Sequence, residues 1–174
     1  AILTVSIVYL NGINLQSLFV ILLVYNLIVL SFIDIKFKAV PDYFLLSALI
    51  LAFCVQYENI IEAFKNAFLF AGAISLLSFV LTFYVQNIKS RILKDDSLKT
   101  QEALGEGDIP IIAIIGIILG IKAGLVAIFL ASLFAIIPSI YSNIKNSETQ
   151  IPFIPFLSLG LICEYIFQIS KVFL

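Results

Sequence analysis

The chain has 174 residues, of which 62% are apolar and only 12% charged, with a formal net charge of −1 and no histidine. Soluble domains carry about 25% charged residues, so water is not the main solvent of this protein. The near-neutral charge, with basic residues scattered over polar segments, excludes an electrostatic footprint for nucleic acid, and two cysteines inside apolar runs without a CxxC pair exclude an encoded zinc site or disulfide framework.

Apolar runs of about 18 residues or more read as membrane-spanning helices, and the elements follow from that rule. The chain has no methionine and opens at Ala1 inside an apolar run, which reads as the end of a helix whose beginning lies upstream. Neither a basic n-region nor a small-residue cleavage site marks a signal peptide there. Residues 1–10 form this partial helix, ended by an Asn-Gly turn. A full span covers 16–33 and runs into Asp34, where charge and then Pro41 break it. Further spans are expected at 42–57 and 63–85. Residues 86–108 are the long polar segment and read as a loop at the membrane surface. A shorter span at 109–120, a break at Ile121–Lys122, a span at 123–141 and a last one at 151–170 complete the chain. The expected fold class is an all-α integral membrane protein: one domain over 1–174, a polytopic bundle of about six full transmembrane helices plus a partial N-terminal one.

Alternation of these spans places Lys36, Lys38, Lys89, Arg91, Lys94, Lys99 and Lys145 on one side and Lys65, Lys122 and Lys171 on the other. Positive residues concentrate in cytoplasmic loops, so the first side is expected to be cytoplasmic. Asp34 and the 86–108 loop both fall on it.

Asp34 sits at the C-terminal end of an apolar helix, where the helix dipole disfavours a negative charge. A solvated loop acid beside Lys36 and Lys38 explains it as well as a functional role does. Acids at a membrane boundary are nonetheless functional candidates. Asp108 opens the next helix in the string Gly105-Glu106-Gly107-Asp108-Ile109-Pro110. Taken alone it reads as a helix N-cap. A cap does not explain the two glycines just before it, which permit unusual backbone conformations and close approach of a ligand chain. Together, two carboxylates brought close can divide the work of hydrolysis, one as base toward water and the other as proton donor to a carbonyl.

These residues resemble a known family. The string IDIKFKAVPDYF at 33–44 looks like the first motif of the type IV prepilin leader peptidases, GEGDIPIIAIIGIILG at 105–120 resembles their GxGD motif with its helix, and IPFIPFLSLG at 151–160 is similar to the proline-rich start of their last helix. The resemblance implies an aspartic endopeptidase of the inner (cytoplasmic) membrane with Asp34 and Asp108 as the catalytic pair at the cytoplasmic face. It also implies that Gly105, Glu106, Gly107, Asp42, Pro152 and Pro155 shape the site or bind substrate. Its partners would be prepilins or pseudopilins, cut at the border of their hydrophobic helix, typically after a glycine, and membrane lipids. No metal or other cofactor is implied for that step. Many bacterial members also methylate the new N-terminus and carry an upstream segment with paired cysteines; the resemblance here covers the peptidase motifs and not that segment. Pro110 stands where many members have lysine. Presenilin-like and signal-peptide peptidases share GxGD, but Ile33 precedes Asp34 where they have tyrosine.

Three residue patterns read structurally. Asp42 after Pro41 is expected to cap its helix. Gly116, Gly120 and Gly124 are spaced for GxxxG helix packing. Pro138, Pro152 and Pro155 loosen or kink helices. The competing function is a small transporter or channel with carboxylates in an ion pathway, against which both acids lie at one face and none at mid-span.

Overall fold

A computed structural model of the chain describes residues 2–89, 105–144 and 152–173, and every regular element among them is helical. Helix α1 (Ile2–Asn11) ends at Gly12, whose φ of +75° turns the chain into α2 (Leu15–Phe37). Lys38 closes α2 in the left-handed region, with its N–H donating to Asp34 O at 2.8 Å. Pro41, at φ −67° and ψ 131°, is the N-cap of α3 (Asp42–Val55). A short 3-10 turn at Tyr57–Asn59 leads into α4 (Ile60–Phe83), which continues as a π turn over Tyr84–Lys89. Then follow α5 (Asp108–Ile144), α6 (Ile154–Phe167) and a last turn, α7 (Ser170–Phe173).

Three helical stretches have the length and apolar composition of membrane spans: Leu15–Phe37, Tyr57–Asn87 and Asp108–Ile140, the last interrupted at Gly120. Phe68, Leu76 and Phe79 of α4 are 69–74% exposed, which water would penalise and lipid does not. This is a membrane protein. Helices α3 and α6 have 14 residues each, about 21 Å of helix against a hydrocarbon layer of about 30 Å. The expected spans at 42–57 and 151–170 are thus shorter as helices, because Pro41, Gln56 and Gln168 fix their ends. Residues 86–89 belong to the α4 turn and Asp108 heads α5, so the surface loop expected over 86–108 is narrower at both ends; residues 90–104 lie outside the described residues.

The expected division between 109–120 and 123–141 falls at Gly120, not at Ile121–Lys122. Gly120 has φ 73° and ψ −171°, a conformation essentially restricted to glycine. A Cβ on Gly124 would lie 3.6 Å from Ile115 Cγ2, whereas nine residues of straight helix rise about 13.5 Å. The chain therefore doubles back at Gly120, and the arms 108–119 and 121–144 lie side by side. Phe70 of α4 is gripped between them, since a Cβ on Gly116 or on Gly124 would each come within 2.7 Å of its ring. The three glycines are not one packing stripe: two hold an aromatic ring and the third makes the reversal.

The first arm is the centre of the bundle, with Ile111, Ile114 and Ile115 fully buried beside Leu27, Leu30 and Leu157. Helix α6 lies tight against the second arm, Gly160 backing directly onto the Ala127 carbonyl and Ala131. At the far end of α6, Glu164 is 1% exposed and accepts the Ser170 N–H at 3.0 Å, and the Asn11 amide donates to the Tyr165 hydroxyl at 2.6 Å. That buried glutamate was not singled out by the sequence. It anchors the α6–α7 corner.

Candidate active site

Asp34 lies three residues before the end of α2, on the stripe Val20, Leu23, Val24, Leu27, Leu30, Asp34, all buried. Spacing of three and four residues carries one face of a helix inward, so the same pattern that packs the leucines turns the carboxylate into the bundle. It is 7% exposed. Asp108 is likewise 7% exposed and is the first helical residue of α5, heading an arm in which Ile111 to Ile115 are all buried.

Ile154, the first residue of α6, joins the two acids. Its backbone N–H donates to Asp34 Oδ2 at 3.2 Å, and its side chain packs where a Cβ on Gly107 would be 3.5 Å away, next to Asp108. Leu45 of α3 closes the same contact, 3.8 Å from that Cβ position. The acids, 74 residues apart in sequence, are near enough that the charge on Asp34 acts on the Asp108 carboxyl. An N–H at a helix start carries a partial positive charge, so α6 presents a favourable dipole to Asp34 that its own helix end withholds.

The turn before Asp108 closes through the Asp108 N–H donating to Gly105 O at 3.1 Å. A Cβ on Gly105 would be 3.4 Å from Asp108 Oδ2. Gly107 does not have positive φ. At Gly107 the expected unusual backbone conformation is therefore absent; a Cβ there would meet the Ile154 and Leu45 side chains at 3.5 and 3.8 Å. Gly105 and Glu106 are exposed and Gly107 is half-buried.

The remaining residues named from sequence are placed less centrally. Asp42 is exposed and is the first residue of α3, not its cap, because Pro41 occupies the cap position with an extended backbone. Pro152 is half-buried just before α6, and Pro155 is buried in its first turn, where the missing N–H costs nothing. Among the described residues no group of three His, Cys, Asp or Glu is placed to hold a metal ion, and Cys54 and Cys163 are free. Ile154 and Leu45 were not foreseen. A proline in the first turn signals a helix start and could have marked the orphan N–H groups near 154, but not the acid that receives one.

Residues 21–140 match the sequence model of the type IV leader peptidase family, a range that holds Asp34, Asp42 and the Gly105–Asp108 turn. A prepilin leader peptidase/N-methyltransferase of Legionella pneumophila is 32% identical over 160 residues, which is 88% of this chain and 52% of that protein. The chain thus spans about half the length of that relative. No solved structure matches. With its family range spanning both buried acids, the chain belongs to the type IV leader peptidase family.

Proposed function

We propose that this chain is a membrane aspartic endopeptidase that removes the leader peptide from type IV prepilins or pseudopilins, with Asp34 and Asp108 as its catalytic pair. The observation that carries the reading is that both acids are buried and Ile154 ties them to one place, its N–H bonded to Asp34 and its side chain packed on Gly107, the residue before Asp108. Two like charges held close in a poorly solvated place are costly together, so such a pair holds one proton between its members. The ionised partner takes a proton from water as the water attacks the scissile carbonyl. The protonated partner hydrogen-bonds the carbonyl oxygen, which becomes the oxyanion. Protonation of the leaving amine completes the hydrolysis and returns the pair to its shared state.

The single domain spans 1–174 and lies in the inner membrane as six helical segments, α2, α3, α4, the two arms of α5, and α6, of which α3, α6 and the first arm of α5 are shorter than a full crossing, with α1 as a partial helix. The ends that carry the two acids face the cytoplasm, where the lysine-rich side lies. Gly105, Glu106, Gly107, Asp42, Pro152 and Pro155 border the place where an extended peptide reaches the pair. The name of the Legionella relative and the exposed Gly105 and Glu106 beside Asp108 support this reading.

The test is cleavage of a synthetic prepilin peptide by the purified chain in detergent. Asp34→Asn and Asp108→Asn each remove the shared proton's chemistry without changing volume. Each is expected to lower kcat by about 10³-fold or more with the helical content unchanged by circular dichroism. Cleavage near the wild-type rate in either variant would remove that residue from the mechanism.

A further inference from the structure

The N–H groups in the first turn of α6 can be followed one by one. Phe153, the N-cap, offers them no side-chain bond. Pro155 has no N–H to place, and the N–H groups of Phe156 and Leu157 both donate to Phe153 O at 3.1 Å. That leaves Ile154, whose N–H donates to Asp34 Oδ2 at 3.2 Å. Helix starts leave N–H groups that need partners from outside the helix, and here the partner is one of the two acids.

For Asp34 the bond has no substitute. Its carboxylate lies in the last turn of α2, where a helix offers carbonyl oxygens and no free N–H. Among the described residues it accepts no hydrogen bond other than that from Ile154. One oxygen is therefore held and the other is unbonded. The terminal torsion of an aspartate is broad when nothing holds it, whereas a catalytic carboxylate works only with its reacting oxygen within hydrogen-bond reach of the proton it takes or gives. The donor is itself seated against the second acid's turn, since the Ile154 side chain packs on Gly107, the residue before Asp108. We infer that Ile154 is a positioning residue: its main-chain N–H pins Asp34 Oδ2 and so leaves Oδ1 aimed at the reacting water between the two acids. The residue acts through its backbone, and its side chain serves to seat that backbone. This rests on the reading of Asp34 and Asp108 as the catalytic pair.

The alternative is that Asp34 does no more than cap α6. Exchanging one backbone N–H for oxygen, by building in the α-hydroxy acid analogue of the residue, separates the two. At position 154 the exchange removes the donor to Asp34. At position 156 it removes a donor to Phe153 O in the same helical turn and leaves the bond to Asp34 in place. Both full chains are assayed in detergent with a synthetic prepilin peptide, beside Ile154→Leu, which keeps the N–H, and Asp34→Asn as the inactive reference. The expected result is a kcat lowered roughly tenfold or more for the exchange at 154 with KM unchanged, and kcat near wild type for the exchange at 156 and for Ile154→Leu. Wild-type kcat for the exchange at 154, or an equal loss for the two exchanges, overturns the role of Ile154 and leaves the pair intact. A loss as large in Ile154→Leu overturns it too, by placing the effect in the side chain. So does a Tm several degrees lower for the exchange at 154 than at 156, which assigns the bond to stability. Cleavage by Asp34→Asn removes the pair and the inference together.

Discussion

Gly160→Ala is a one-carbon change with a large expected effect. A Cβ there would overlap the Ala127 carbonyl oxygen and lie 3.1 Å from Ala131 Cβ and 3.2 Å from Ala131 N. These are backbone and first side-chain atoms, which cannot rotate aside. Reaching ordinary contact distances near 3.5 Å requires α6 and the second arm of α5 to separate by about 1 Å. Overpacking of this kind costs about 1–3 kcal/mol, and the upper end fits a clash with backbone. Helix propensity works the other way, favouring Ala over Gly by about 1 kcal/mol. Gly72→Ala isolates that opposing term, since nothing lies within 4 Å of the added carbon at Gly72. Thermal unfolding in detergent should therefore rank Gly72→Ala at or above wild type and Gly160→Ala below it. At about 2–4 °C per kcal/mol for a chain of this size, the two variants should differ by about 2–12 °C. The same displacement draws Ile154 away from Asp34, so cleavage should fall further than the loss of folded protein explains. Equal Tm values for the two variants would refute the close α6–α5 approach.

Gly120→Ala should lower stability by about 1–3 kcal/mol through backbone strain alone, because φ 73° with ψ −171° is closed to alanine; a Tm equal to wild type would mean that the chain does not reverse there. Gly116→Ala places a carbon 2.7 Å from the Phe70 ring and should destabilise the protein, but much less in a Phe70→Leu background. A double-mutant cycle with no coupling would contradict the grip on that ring. Asn26→Leu removes the 2.7 Å bond to Ser47 that ties α2 to α3 and should cost about 0.6–1.7 kcal/mol in the membrane, read by unfolding in detergent.

Much of this protein is legible in its sequence because the bilayer is a demanding solvent. Low charge and long apolar runs already require helices, since only helices and closed barrels satisfy every backbone polar group in lipid. Asp34 falls on the period that buries Leu23, Leu27 and Leu30, yet from sequence a solvated loop acid explained it equally well. What local pattern left open concerns partners. The glycines at 116, 120 and 124 show even spacing, and spacing does not tell a packing stripe from a reversal; only the positive φ at Gly120 and the place of Phe70 decide it. The bond from Ile154 to Asp34 joins residues 120 apart, and no periodicity reaches across that separation. A sequence specifies which face of each helix is apolar and where it stops. Which faces meet, and so which carboxylates share a site, is set by how five helices and a doubled-back arm fill the same volume.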